Sequence, residues 1–131
     1  PCLKNLAESL DINSVEFLGR VADPVGFHQS LNVFTLASTR EGLSMSLQEA
    51  MSCGCVPVAV DGAGCRELIS DHVNGYLFEQ NNHVDLANKL LQAADSQWMG
   101  REARKTIKHD FNVDKNAVKY LEVYTEAGHR F

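Results

Sequence analysis

The sequence predicts an α/β fold: a parallel sheet flanked by helices, ending in a helical segment. Three observations predict it. Short β-rich runs at 15–18, 32–37, 55–60 and 76–78 alternate with stretches of helical periodicity. Two of these runs, NVFTLA and CVPVAV, are largely apolar rather than alternating, as in strands covered on both faces. After Glu79 the pattern is helical throughout. Strands joined through helices imply βαβ units with right-handed crossovers.

In chain order, Leu3, Leu6, Ala7 and Leu10 recur at helical spacing and predict the end of a helix over 3–10. Asp11 to Ser14 form a turn, and 15–18 (VEFL) a short strand closed by Gly19. Arg20 to Asp23 make a loop. Pro24 suits the first turn of a helix over 24–30. The run 32–37 follows as a buried strand. Leu43, Leu47, Ala50 and Met51 then fall on one helical face, with Gly54 as the residue just past its end. The run 55–60 is a second buried strand. Pro57 lacks a ladder donor and belongs near that strand's opening. A short helix is expected at 65–70. Asn74-Gly75 marks a turn before the strand 76–78. Leu86, Leu90, Leu91 and Ala94 mark one helix, Met99, Ala103 and Ile107 a second, and Ala117, Tyr120, Leu121 and Tyr124 a third. Trp98 is expected to pack on the sheet.

The chain has 131 residues, enough for one domain or part of a larger one, and it opens at Pro1 in a helix-like pattern. The expectation is a fragment whose upstream part is missing. The net charge of −5 argues against general nucleic-acid binding and against long-range attraction of an anionic ligand. A phosphate site would have to be local. Cys2, Cys53, Cys55 and Cys65 show no CxxC pair and no zinc spacing, which fits reduced thiols in a cytosolic protein. The five histidines are scattered, and no D-x-D pair occurs. Gly62-x-Gly64 lacks the third glycine of a dinucleotide fingerprint.

Ligands of parallel α/β sheets bind outside the carboxyl ends of the strands. The loops 19–23, 38–42 and 61–64 should therefore share one edge. The stretch STREGLSMSLQEAMSCGCVPVAV (38–60) puts Glu41 in such a loop and Glu49 in the helix that follows. Carboxylates beside a helix start, where N–H groups are free and the potential is positive, suit a phosphate ligand with hydroxyls on either side. Glu41 alone also reads as a solvated loop charge. Ser46-x-x-Glu49 also fits a capping box, with a helix start near Ser46.

Glu41-(seven residues)-Glu49, continued by AMSCGCVPV and preceded by VEFLGRV, resembles the E-x7-E region of retaining GT-B glycosyltransferases, in particular the group 1 family. DGAGCREL and DHVNGYLF continue the resemblance, which covers essentially the whole chain. It implies a Rossmann-like nucleotide-sugar-binding core, incomplete over 1–79, with the C-terminal helices of the same domain over 80–131. The whole would be the C-terminal donor-binding half of a GT-B fold. It implies transfer of a sugar from a nucleoside-diphosphate sugar to an acceptor with retention of configuration. The catalytic residue carried over is Glu41. Gly42, Leu43, Ser44 and Met45 match the turn facing donor sugar and diphosphate. Glu49 matches the ribose ligand, and Gly19, Arg20 and Val21 the base-side loop. No metal and no cofactor are implied, and UDP is slightly favoured.

The implied partners are the donor, an acceptor glycan, lipid or small molecule, and a missing N-terminal Rossmann-like domain, with no nucleic acid and no transmembrane segment. The implied location is cytoplasmic, or peripheral at the membrane when the acceptor is a lipid. Ser44 and Ala63 depart from the family's usual residues. The family's diphosphate-neutralising cations lie upstream of this chain, and the isolated chain is expected to be inactive. A GT-B nucleotide-sugar epimerase and a non-catalytic nucleotide-binding or interaction module stand as alternatives.

Overall fold

The computed structural model describes residues 2–40 and 42–128. The elements are α1 (Leu3–Ser9), α2 (Pro24–Ser30), β1 (Val33–Leu36), α3 (Met45–Ser52), β2 (Val56–Val60), α4 (Ala63–Arg66), β3 (Tyr76–Phe78), α5 (His83–Asp95), α6 (Met99–Asp110) and α7 (Val113–Gly128). The three strands form a parallel sheet in the order β1-β2-β3. This is the parallel α/β arrangement that the alternation of runs predicts.

All five residues of β2 are buried. Successive strand side chains point to opposite faces, so both faces of β2 are covered. The covering helices are α3, α5 and α6. Leu47 and Met51 of α3, Val56 and Val58 of β2, and Met99, Ala103 and Ile107 of α6 belong to one apolar cluster. Full burial of an aliphatic side chain of this size is worth about 1.5–3 kcal/mol.

Pro57 sits second in this central strand, as expected. The N–H of Val56 donates to Asn32 O on the β1 side. Alternate residues point their donors to opposite sides, so the donor Pro57 lacks would face β3. Pairing with β3 begins only at Val58, and no ladder bond is lost.

The end of α3 follows the sequence. Gly54 has φ +89°. Its N–H donates to Met51 O at 3.0 Å and the N–H of Cys55 to Ala50 O at 3.1 Å. This is a Schellman closure, and it turns the chain directly into β2. Asp23 caps α2, its Oδ1 accepting from the N–H of Gly26 at 3.0 Å, with Pro24 at the first helical position.

Several expectations are corrected. The run 15–18 forms no strand: it finds no ladder partner among the described residues, and Val15, Phe17 and Leu18 are 40–52% exposed. Its apolar pattern is that of a strand, but a strand exists only when paired. Loop 19–23 therefore does not follow a strand of the described sheet. β1 is half-buried rather than covered on both faces, because it is an edge of the described sheet. The helix expected at 65–70 begins earlier, at Ala63. In α5 the buried residue is Ala93, with Leu86 and Leu90 against the core, while Leu91 and Ala94 are exposed. Trp98 is 51% exposed at the start of α6, not packed on the sheet. No residue of α1 or α7 is buried.

Candidate functional site

Residues 38–40 and 42–44 leave the carboxyl end of β1 and lead into α3. Ser44 is 6% exposed, and its Oγ accepts the N–H of Leu47 at 3.3 Å. Ser44 is therefore the N-cap, and the helix starts at Met45 rather than near Ser46. This removes the capping-box reading of Glu49. Counting from Ser44, Glu49 lies in the second turn, too far along to reach the first free donors. Its side chain is exposed and takes no hydrogen bond among the described residues. Glu41 lies outside the described residues.

At the helix start, the N–H groups of Met45 and Ser46 donate to no described residue. They are two of the orphan donors that every helix start presents, and they carry the positive end of its dipole. Gly42 and Leu43 are exposed, and nothing crowds the position of a Cβ at Gly42. Gln48 is turned back to the helix start, where its Nε2 donates to Ser44 O at 3.3 Å.

Glu49 faces a cavity of about 540 Å3 together with Met45, Gln48, Ser52 and Cys53 of the same helix region. The other wall is Pro24, Val25 and His28 of α2, and Ile107 and Phe111 close the far side. Pro24 follows the loop 19–23 directly, so α2 brings the end of that loop beside Glu49 although the strand before it is absent. Gly19 adopts φ +66° and, like Arg20, is exposed; Val21 is half-buried. A second groove, of about 350 Å3, is lined by Leu43, Phe111 and, from α7, Asn116, Lys119, Tyr120 and Val123. The sequence reading missed both α2's wall and the α7 side. In the sequence Pro24 marks only a helix start, and Ala117, Tyr120, Leu121 and Tyr124 only an apolar stripe.

Beneath the cavity, Cys55 Sγ donates to His28 O at 3.1 Å. Burial, and then the neighbouring Cys53, push the Cys55 thiol up from its ordinary value. His28 is 5% exposed, with its ring edge-on to Phe34 at 5.4 Å. On the adjacent loop, Asp61 and Arg66 form a two-pronged pair, Nε to Oδ1 at 2.6 Å and Nη2 to Oδ2 at 3.0 Å. No disulfide forms among the described cysteines. Among the described residues no three His, Cys, Asp or Glu side chains gather in a way that would hold a metal ion.

Residues 2–110 match the family model described as Glycosyl transferases group 1. The chain belongs to this family. It is 39% identical over 118 residues to an uncharacterized glycosyltransferase of Haemophilus influenzae, covering 86% of this chain and 33% of that protein. It is 31% identical over 120 residues to the N,N'-diacetylbacillosaminyl-diphospho-undecaprenol alpha-1,3-N-acetylgalactosaminyltransferase of Campylobacter jejuni, covering 89% of this chain and 32% of that enzyme. Among solved structures, HepE of Anabaena in complex with UDP superposes with a TM-score of 0.90 at 25% identity, over 95% of this chain and 36% of that one. The group 1 glycosyltransferase chain thus spans about a third of the length of its curated relatives. Its parallel sheet with flanking helices is the Rossmann-like C-terminal half of a GT-B fold. No described helix is long and apolar enough to cross a membrane.

Proposed function

We propose that this chain is the donor-binding half of a retaining glycosyltransferase, which moves a sugar from a nucleoside-diphosphate sugar to an acceptor. The observation that carries the reading is the surroundings of Glu49. It is an exposed carboxylate with no hydrogen bond among the described residues, on a cavity of about 540 Å3, one turn from the N–H groups of Met45 and Ser46, which donate to no described residue. A nucleoside diphosphate needs those features in that order. Its ribose hydroxyls donate to Glu49, a carboxylate able to accept two bonds. Its diphosphate takes the donors of the turn Gly42, Leu43, Ser44 and Met45 at the α3 start, where the dipole favours the departing phosphate. Its base lies toward Pro24, Val25 and the loop of Gly19, Arg20 and Val21, and is read by main-chain groups.

Glu41, in the loop before that turn, is the catalytic carboxylate of this reading. It accepts the hydroxyls of the donor sugar and supports the positive charge that develops as the glycosidic bond to phosphate breaks. The partner of HepE in its crystals favours UDP as the nucleotide. Residues 1–79 supply the nucleotide-binding core and 80–131 the helices that close it. The acceptor side belongs to an N-terminal domain of the full-length polypeptide, and the diphosphate cations to its part upstream of this chain. The chain alone is then a nucleotide-binding module without turnover.

Calorimetric titration with UDP tests the donor site. Glu49→Ala should weaken binding by about 1–3 kcal/mol, the cost of losing charged hydrogen bonds. An unchanged affinity would reject the assignment. For the reaction, NMR of the product made by the full-length enzyme should show the donor's anomeric configuration; an inverted product sinks the retaining mechanism.

A further inference from the structure

The outward face of α6 has no part in the reading above. Met99, Gly100, Ala103 and Ile107 are the buried stripe of this helix. Trp98, Arg101, Arg104, Lys105 and Lys108 are all exposed; by helical position Trp98, Arg101, Lys105 and Lys108 stand on the opposite side and Arg104 on its flank. Positions 98, 101, 105 and 108 follow the helical repeat, so they form one continuous stripe about three turns long. Six of the twelve Lys and Arg residues fall between 101 and 119, against three of the seventeen acids. That segment carries +3 in a chain of −5. Glu102 offsets Lys105 at 2.7 Å. Arg101, Arg104 and Lys108 have no ion-pair partner among the described residues. Where α6 meets α7, a groove of about 650 Å3 adds Lys115, whose Nζ donates to His109 O at 3.2 Å.

A cationic stripe attracts polyanions in general; the apolar residues around it choose among them. Trp98, 51% exposed, heads the stripe, and Val113, 80% exposed, follows its end. An indole beside a row of cations suits a water–lipid boundary, where its apolar body is buried and its N–H stays wet. Single-stranded nucleic acid would instead need several stacking rings along a groove, and this face has one. We propose that the outer face of α6 docks on an anionic lipid bilayer, with Arg101, Arg104, Lys105 and Lys108 against headgroup phosphates and Trp98 at the acyl boundary. The stripe is complete within this chain, and the proposal does not rest on the transferase reading.

Trp98 is the only tryptophan of the 131 residues, so its emission reports docking directly. The chain is titrated with vesicles of phosphatidylcholine plus phosphatidylglycerol, and with phosphatidylcholine alone, in the absence of any sugar nucleotide. The expected result is a blue shift and co-sedimentation on the anionic vesicles only, weakening as salt rises. The double variant Arg101→Gln, Lys108→Gln should bind roughly 25-fold more weakly, about five-fold for each charge removed. Both positions are exposed, and far-ultraviolet circular dichroism checks the fold; the wild-type salt titration decides even if the variant does not fold. Equal partition onto neutral vesicles, or insensitivity to salt, overturns the proposal. So does tighter binding to single-stranded DNA than to the anionic vesicles.

Discussion

Asn74 is a polar residue 4% exposed, and its side chain is fully employed. Its Oδ1 accepts the N–H of Ser70 at 2.8 Å, while its Nδ2 donates to Leu68 O at 3.1 Å and Thr106 Oγ1 at 3.0 Å. One amide thus joins the turn before β3 to α6. In the sequence it signalled only a turn; the bond to Thr106 spans 32 positions and has no local signature. Asn74→Ala strands the buried Leu68 carbonyl and removes two part-buried bonds, and should cost about 1–3 kcal/mol in urea unfolding. A loss within experimental error would show that the turn holds without it. The exposed pair Asp61–Arg66 is a contrast. The hydrogen bond from Arg66, helped by its charge, holds the Asp61 carboxyl below its ordinary value. A depressed carboxylate contributes stability above its unfolded pKa and loses it as pH falls through the folded one. Exposed pairs contribute little, so Arg66→Gln should leave neutral stability nearly unchanged. Carbon-detected NMR should find the Asp61 titration moved upward in that variant. An unmoved midpoint would remove Arg66 as the cause.

Helix α3 shows what local pattern specifies and where it stops. Of its expected apolar face, Leu47, Ala50 and Met51 are wholly buried, whereas Leu43 precedes the Ser44 cap and is 46% exposed; Gly54 ends the helix in the left-handed region. The start was ambiguous because Ser44 and Ser46 both precede plausible first turns. Burial decides: the Ser44 hydroxyl is inside and must be bonded, and the Leu47 N–H bonds it. The seat of α6 was not legible. Gly100 reads as a poor helix residue, yet a Cβ there would overlap Gly54 O, so the two glycines let α6 and the end of α3 touch. Gly100→Ala must push α6 away from the backbone of Gly54 and Cys55. It should destabilise by about 1–3 kcal/mol, the usual cost of overpacking, although alanine is the better helix former. Thermal unfolding measures this; a rise in Tm would mean that the contact is not tight. The Glu49 site was half legible for a related reason. Its helix position follows from local spacing, but the wall from Pro24, Val25 and His28 depends on how α2 lands against α3.

The described residues pack around a buried apolar centre, with exposed apolar side chains over 3–18 and along α7. At the amino end, Leu3, Leu6, Leu10, Val15, Phe17 and Leu18 are 40–70% exposed, and α1 has only seven residues. A helix that short is marginal in water without tertiary cover. At the other end Tyr120, Leu121 and Tyr124 of α7 are 63–71% exposed. The strand pattern at 15–18 is therefore a true signal about the sequence that this structure does not satisfy, because pairing needs a neighbour the pattern cannot name. Local opening is cheapest where few apolar contacts must break. Amide hydrogen exchange should accordingly be slowest in β2 and the buried stripe of α6, and fastest over residues 3–18, with α7 between. In the donor-binding reading, the remainder of a full-length polypeptide covers both ends, so exchange over 3–18 and α7 should slow there by several orders of magnitude while β2 changes little. Slow exchange over 3–18 in the 131-residue chain would contradict the first expectation. Unchanged exchange over 3–18 and α7 in the longer polypeptide would contradict the second, and with it the assignment of these apolar faces to a neighbouring domain.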